Sequence, residues 1–283
     1  MEKYYSFAGI SLAVTAPKGE DFPDDVLAPF RVASAEDPHR FLFQYTQQLT
    51  PPEGKLLAKL PDGAVYKAEQ GQQRYVHAKE GLWENAAMCC FHRGKDHFVE
   101  LLQTRFPTGM TAKTLLNACA AEHLLAQAEG FVLHCSLIDI GGSTVVFTAP
   151  SGTGKSTQAA LWEKHRSARI CNGDRACLRL TEGNALAEGI PFSGSSRICE
   201  SCSLPLSAIV YLTQAPQTRC TRLTGAAAFA RVWEGISVNT WDRHDLEAVS
   251  HTLEQLLNAV PVYQLDCTPD ESAVTALWQC IRK

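Results

Sequence analysis

The sequence predicts an α/β protein in two parts: a β-rich α+β domain over residues 1–106 and a second, α/β domain around a central sheet over residues 107–283. In the first part, short apolar runs are broken by turn residues, which is typical of a sheet. In the second part, helical repeats of apolar residues alternate with short β-branched runs, as in domains built around a central sheet. A glycine-rich loop also joins one such run to a helix there.

Composition and charge argue against several classes of partner. The 283 residues carry a formal net charge of -4, which gives no reason to expect nucleic acid or an anionic membrane. The chain has no run of about 18 apolar residues, and its start, "MEKYYSFAGISLAV", lacks the basic and long apolar regions of a signal peptide. We therefore expect a cytoplasmic protein whose eleven cysteines are reduced and mostly buried.

The first part reads as a mainly antiparallel sheet. Its apolar runs are "GISLAV", "RFLFQYTQQL", "KLLAKL", "AVYKAE", "RYVHA" and "MCCFH". Asp62-Gly63 stands between two alternating segments, which is a strong signal for a β-hairpin. Because the family resemblance described below does not extend to this part, we expect it to select the substrate.

Caps and glycines predict the elements of the second part. Thr111 caps a helix that Gly130 ends. Two strands, "FVLHCSLIDI" and "STVVFT", are joined by a tight hairpin at Gly141-Gly142. Asp242 caps a long amphipathic helix. A final helix is predicted to begin with Thr268 as its cap and proline at the first helical position.

The segment "TAPSGTGKS", Thr148 to Ser156, lies between a predicted strand and a predicted helix. The strand is Ser143–Thr148, and the helix begins at Lys155 with Ala159 and Trp162 on one face. A strand, a loop of small residues and Lys-Ser at the start of a helix form the context of a phosphate-binding loop. A chance glycine turn is the alternative.

This loop predicts contacts with a nucleotide triphosphate and Mg²⁺. Backbone N–H groups at a helix N-terminus receive phosphate oxygens, and Gly152 and Gly154 allow the backbone to wrap closely. Lys155 can reach the β and γ phosphates, and Ser156 can ligate Mg²⁺. The predicted binding residues are Ser151, Gly152, Thr153, Gly154, Lys155, Ser156 and Thr157.

Ala149 departs from the common pattern G-x-x-x-x-G-K-[ST], which has glycine at this position. A left-handed backbone would make alanine cost about 1–2 kcal/mol. At the end of a strand, with negative φ, the methyl group costs little. We expect the second arrangement.

The stretch "LHCSLIDIGGSTVVFTAPSGTGKSTQAALW", followed by "ARICNGD", resembles the catalytic domain of HPr kinase/phosphorylase and, more distantly, phosphoenolpyruvate carboxykinase. The likeness is good over residues 131–197, loose to residue 283, and missing over residues 1–106. It implies a P-loop-containing, mixed-sheet HPr kinase/PEP carboxykinase-like domain after the β-rich α+β domain. It further implies ATP- and Mg²⁺-dependent phosphorylation of a hydroxyl group.

The resemblance also implies roles for single residues. His134 matches the histidine of the family's first hairpin strand, and Asp174 matches one acid of an adjacent acidic pair. Gly173 stands where the second acid is expected, which favours a kinase over a bifunctional kinase/phosphorylase. The implied catalytic residues are Asp174, Lys155 and His134. The implied metal ligands are Ser156, Asp174 and Glu188.

Two further sets of residues stay open at the level of sequence. An arginine should offset charge on the transferred group, and the candidates are Arg175, Arg197, Arg219 and Arg222. Cys199 and Cys202 have zinc-ligand spacing, but no second C-x-x-C pair accompanies them.

The sequence thus predicts a cytoplasmic kinase that uses ATP and Mg²⁺. The acceptor is a serine of a small protein or peptide, or a small metabolite, with no nucleic-acid or membrane partner. A homo-oligomer is possible, as relatives of the family assemble into rings. The alternative is a regulator or assembly factor that binds ATP without transferring phosphate, which the missing acid favours.

Overall fold

The protein is described by a computed structural model over residues 2–21, 26–78, 81–194 and 196–282. It is a mixed α/β chain that divides into two compact units, Met1–Ala121 and Glu122–Lys283. The boundary predicted after residue 106 differs from this division by one helix. That helix, α1 (Ala112–Cys119), lies in the first unit, where the backbone carbonyl of Asn117 accepts a hydrogen bond from Arg74 (3.4 Å).

The first unit contains a nine-stranded sheet in the order β3-β1-β2-β4-β9-β8-β7-β6-β5. Strand β4 runs parallel to both of its neighbours, β2 and β9, and the other pairings are antiparallel. The hairpin predicted at Asp62-Gly63 is confirmed and joins β5 to β6. The strands are β1 (Glu2–Phe7), β2 (Ile10–Thr15), β3 (Arg31–Val32), β4 (His39–Thr46), β5 (Lys55–Leu60), β6 (Gly63–Lys67), β7 (Gln72–Val76), β8 (Met88–Arg93) and β9 (Asp96–Leu102).

The helix predicted from Thr111 to Gly130 is two shorter helices. Thr111 forms a capping box with Thr114 and begins α1, as predicted. Ala120 then adopts a left-handed backbone with φ +48°, and α2 (Ala121–Gln127) follows. Gly130 does not end a helix, because the chain has already turned at Glu129 (φ +56°) and Gly130 is the first residue of a strand.

The second unit is built on a second mixed sheet in the order β11-β10-β13-β14-β15-β18-β16. Strands β12 and β17 also pair with β10, and β15 runs parallel to both β11 and β18. Its strands are β10 (Gly130–Asp139), β11 (Thr144–Thr148), β12 (Arg169–Asn172), β13 (Arg175–Thr181), β14 (Asn184–Gly189), β15 (Ser203–Gln214), β16 (Arg219–Leu223), β17 (Ile236–Ser237) and β18 (Val262–Cys267). Its other helices are α3 (Lys155–Arg166), α4 (Gly225–Trp233), α5 (Arg243–Ala259) and α6 (Glu271–Ile281).

Strand β10 is paired along both of its edges. On one edge, residues 130–134 pair with β13 and residues 137–139 pair with β12. On the other edge, residues 132–133 pair with β17, and residues 135–139 pair with β11 through the predicted Gly141-Gly142 hairpin. Apolar side chains of α4 and α5 cover one face of the sheet, and those of α3 and α6 cover the other. The start of β13 pairs with His134 and the end of β11 pairs with Cys135, so these two strand ends flank adjacent residues of β10.

The predicted cap of α5 is confirmed, whereas the cap of α6 differs from the prediction. Asp242 caps α5, since its carboxylate accepts hydrogen bonds from the N–H groups of residues 244 and 245. Asp270, rather than Thr268, caps α6 by accepting from the N–H of Ser272 (2.8 Å). The carboxylate is the stronger acceptor, and the Thr268 hydroxyl donates to it (2.6 Å). Within the described ranges, no helix is both long and apolar enough to span a membrane.

A buried ion pair ties α2 to α5. His123 Nδ1 lies 2.8 Å from Asp245 Oδ1, and Asn239 donates to the other oxygen of the same carboxylate (2.9 Å). The hydrogen bond to Asp245 raises the pKa of His123 above its ordinary value. The resulting stabilisation is complete below the unfolded-state pKa of about 6.5 and is lost as pH rises through the folded-state pKa.

We predict that His123→Gln lowers the free energy of unfolding by about 1 kcal/mol more at pH 6 than at pH 8.5, allowing for solvent screening of a side chain that is 35% exposed. Urea unfolding at the two pH values measures this difference. His251→Gln, at an exposed position of α5, is the matched control and should show no such pH dependence. An equal loss at both pH values for His123→Gln would contradict the assignment of a charged pair.

Candidate phosphate-binding site

The turn between β11 and α3, residues 150–154, which we call the cradle, contains two left-handed glycines. Gly152 and Gly154 have φ values of +80° and +117°, a region that disfavours side chains. An added Cβ would meet no atom within 4 Å at Gly152, so the glycines are required by backbone conformation and not by crowding. In the described part of the chain, the N–H groups of Gly154, Lys155 and Ser156 donate no hydrogen bond. These groups lie at the positive end of the α3 dipole, where anions bind.

Ala149 occupies the end of β11 without strain. Its φ is not positive, and its methyl group packs in the apolar cluster that contains Ala159 and Trp162. Only 4% of the residue is exposed. The expectation that alanine is tolerated here is therefore confirmed, because the position belongs to the core and not to the cradle.

Lys155 is folded into the loop that it follows. Its ammonium group donates to the carbonyl oxygens of Ala149 (3.0 Å) and Pro150 (3.3 Å), and the residue is 7% exposed. Burial lowers the pKa of Lys155 from its ordinary value, and nearby Asp174 opposes that effect. The charge is thus held at the mouth of the cradle by two neutral carbonyl groups that an anion can replace.

His134 and Asp174 meet at a strand junction, where β10 lies between the end of β11 and the start of β13. His134 Nε2 lies 3.7 Å from Asp174 Oδ1, and Arg175 Nε lies 3.4 Å from Asp174 Oδ2. His134 is in register with Arg175, whereas the next residue of β10 is in register with Thr148, the last residue of β11. The strand junction therefore holds the histidine and the carboxylate beside Lys155.

Hydrogen bonds fix both members of this pair. The side chain of Asn172 accepts from the N–H groups of Asp174 (2.9 Å) and Arg175 (3.0 Å), forming a turn after β12. The N–H of His134 donates to the carbonyl of Gly235 (2.8 Å). Burial and the charge of Lys155 lower the pKa of His134, so its ring is neutral at pH 7 and can accept a proton.

Gly173, where the family resemblance implies a second acid, lies close to the side chain of Ser196. A Cβ added at Gly173 would lie 2.3 Å from Ser196 Oγ and 2.9 Å from Ser196 Cβ. Gly194 approaches Asp174 in the same way, with an added Cβ only 2.8 Å from the carboxylate carbon. The segment after β14 therefore packs against this turn in the space that a second acidic side chain would need. One residue of that segment, Ser195, lies outside the described residues.

The three metal ligands predicted from sequence do not form one cluster. Glu188 is 4% exposed and is bonded to Arg179 at 2.6 Å, so its carboxylate does not fit a Mg²⁺ site. Ser156 is exposed at the first turn of α3, and Asp174 is half-buried near Lys155. One hydroxyl and one carboxylate fit Mg²⁺, which keeps several waters and binds through phosphates.

The other clusters of metal-binding residue types have structural partners. Among the described residues, three suitable ligand atoms lie within 4.8 Å of one another at His123, Asp242 and Asp245, which form the helix cap and ion pair given above. Cys202 forms a hydrogen bond with Cys171 that raises the pKa of the Cys171 thiol. Cys199 and Cys202 have zinc-ligand spacing, but within the described chain they do not belong to a cluster of three possible metal ligands.

Two clefts adjoin the loop on either side of Gly152-Thr153. The larger, about 620 Å³, is bounded by Gln158, residues 214–216 and residues 267–269. The smaller, about 470 Å³, is bounded by residues 150–153, residues 211–214 and Arg231. Both fall in the size range of small-molecule sites, about 300–1,000 Å³.

The arginine candidates separate in the structure. Arg175 stands beside Asp174, whereas Arg219 and Arg222 are exposed on β16 and Arg197 is exposed with φ +55°. Arg231, which sequence reasoning missed, borders the smaller cleft. No sequence motif marks Arg231, because its position depends on how α4 packs beside β15.

Comparisons with known proteins add little to this geometry. No protein family and no curated protein matches the sequence. Among solved structures, the chain is similar to the HPr(Ser) kinase/phosphatase from Coxiella burnetii, at 11% sequence identity and a TM-score of 0.32. That similarity covers 53% of this chain and 95% of the other. A TM-score of this size is too low to support an argument, and the functional conclusion rests on the site.

Proposed function

We propose that this protein is a Mg²⁺-dependent kinase that transfers the γ-phosphate of ATP to a hydroxyl group. The observation that supports this most directly is the position of Lys155, whose ammonium lies inside a glycine loop beside unused N–H groups of the α3 N-terminus. The pair of His134 and Asp174 adjoins the same ammonium, which gives the phosphate site a proton acceptor.

Phosphoryl transfer needs positioning and charge neutralisation from the protein. The loop N–H groups hold phosphate oxygens, and Lys155 exchanges its two carbonyl partners for the β and γ phosphates. Asp174 orients the acceptor hydroxyl and takes its proton, and the neutral ring of His134 stabilises the protonated carboxyl by accepting a hydrogen bond. Mg²⁺, held by Ser156 and by Asp174 through water, would neutralise charge on the triphosphate.

The proposal names the acceptor by chemical class. A serine of a small protein or peptide, or the hydroxyl of a small metabolite, would enter beside Asp174. The first unit, with its separate sheet and no phosphate loop, would select this acceptor. The working environment would be the cytoplasm, and a homo-oligomer is compatible with the proposal.

A second function is favoured by Gly173. With glycine at position 173, this turn carries one carboxylate, which would have to serve both metal and proton. A protein that binds ATP as a regulator or assembly factor would need no proton acceptor. The two functions differ in whether Asp174 affects phosphate transfer.

Lys155→Ala is predicted to weaken ATP binding about tenfold to hundredfold, because it removes a charge-assisted hydrogen bond to phosphate. Titration calorimetry with Mg²⁺ and ATP measures the affinity. Lys164→Ala, at an exposed position of the same helix, is the matched control and should bind ATP like the wild type. Unchanged affinity in Lys155→Ala would remove the basis for a nucleotide site at this loop.

Asp174→Asn is predicted to bind ATP within a fewfold of the wild type and to lose transfer by about 10²–10⁴-fold, since a general base is removed. Radiolabelled ATP incubated with protein and cell extract measures transfer to the acceptor. Asp266→Asn, in strand β18, is the control for loss of one carboxylate. Normal ATP binding without any labelled acceptor, in wild type and Asp174→Asn alike, would favour the regulator instead.

A further inference from the structure

The smaller cleft beside the phosphate loop contains a positive charge that the site described above does not use. Its walls are formed by residues 150–153 of the loop, by the end of β15 and by Arg231 of α4. Arg231 is the one charged residue among those that border the cleft in the described chain. A cleft with this lining favours an anion next to the loop.

The guanidinium of Arg231 is held by contacts with Glu234 and Tyr211. Its Nη1 lies 3.1 Å from Glu234 Oε1 and 3.5 Å from the hydroxyl of Tyr211, and its carbon lies 4.7 Å from the centre of the Tyr211 ring. The Tyr211 hydroxyl donates to the same glutamate (2.7 Å). The hydrogen bonds found in the described residues use Nη1, so Nε and Nη2 remain to bind an anion.

The register of the sheet places this group at the level of the loop. Tyr211 of β15 is paired with Thr148, the last residue of β11 before the loop. The chain then returns through α4, and Gly235 just beyond it accepts the N–H of His134. Arg231 and His134 are therefore both anchored beside the end of β11.

We propose that Arg231 binds the terminal phosphate of the nucleotide and is the arginine that offsets charge on the transferred group. This rests on the proposed nucleotide site. Arginine suits this task because it is always charged and presents several donors in one plane. A contact with the terminal phosphate distinguishes ATP from ADP, whereas Lys155 and the loop N–H groups also hold the β phosphate.

The test compares the non-hydrolysable ATP analogue AMP-PNP with ADP, each titrated with Mg²⁺ into the full chain. Arg231→Gln is expected to lose about tenfold or more in affinity for AMP-PNP and less than twofold in affinity for ADP. Arg231→Lys, which keeps the charge, should recover part of the loss. Arg243→Gln is the matched control, since Arg243 also pairs with a glutamate of its own helix, and it should bind both nucleotides like the wild type.

The outcomes separate this inference from the function on which it rests. Equal losses for both nucleotides, or no loss for either, would overturn the role of Arg231 while leaving the nucleotide site intact. If the wild type binds neither nucleotide, both proposals fail together. Thermal unfolding of each variant shows whether a loss of affinity reflects binding or folding. If a folded Arg231→Lys variant has the same affinities for AMP-PNP and ADP as Arg231→Gln, that result also counts against a charge contact.

Discussion

The left-handed backbone of Gly152 and Gly154 is the constraint on which the site depends. It lets the chain leave the buried end of β11 and enter α3 while the N–H groups of Gly154, Lys155 and Ser156 stay without acceptors. Three donors at a helix N-terminus are costly unless water or an anion satisfies them. The same turn brings Lys155 back over the loop, where its ammonium donates to the carbonyl groups of Ala149 and Pro150. The local geometry therefore favours a bound anion before any partner is considered.

The pairing of the strands places His134 and Asp174 near the loop. Strand β10 lies between β11 and β13, and the end of β11 and the start of β13 pair with adjacent residues of it, so the turn at Asp174 lies near the phosphate loop. Glycine at position 173 then leaves one acid at this turn. The proposed kinase thus depends on Asp174 alone, with His134 as the neighbour whose lowered pKa keeps it neutral.

Local signals predicted the features that depend on a few consecutive residues. The Gly141-Gly142 hairpin, the cap at Thr111 and the tolerance of Ala149 each follow from the backbone preference or packing of that position. Features that depend on distant contacts were not predicted. Glu188 is occupied by Arg179 across a strand pair, Arg231 borders the cleft beside the loop because α4 packs beside β15, and the helix expected to end at Gly130 ends earlier, at a left-handed turn. Sequence spacing alone does not contain these contacts.

The central claim is that the backbone of this loop binds phosphate. The most direct measurement is a ¹H–¹⁵N NMR spectrum of protein labelled with ¹⁵N-glycine, recorded as Mg²⁺ and ATP are added. The account predicts large, saturable shifts for the amides of Gly152 and Gly154, small shifts for the exposed hairpin glycines Gly141 and Gly142, and loss of the shifts in Lys155→Ala. ATP-dependent shifts that spare Gly152 and Gly154, or no shifts at all, would contradict it.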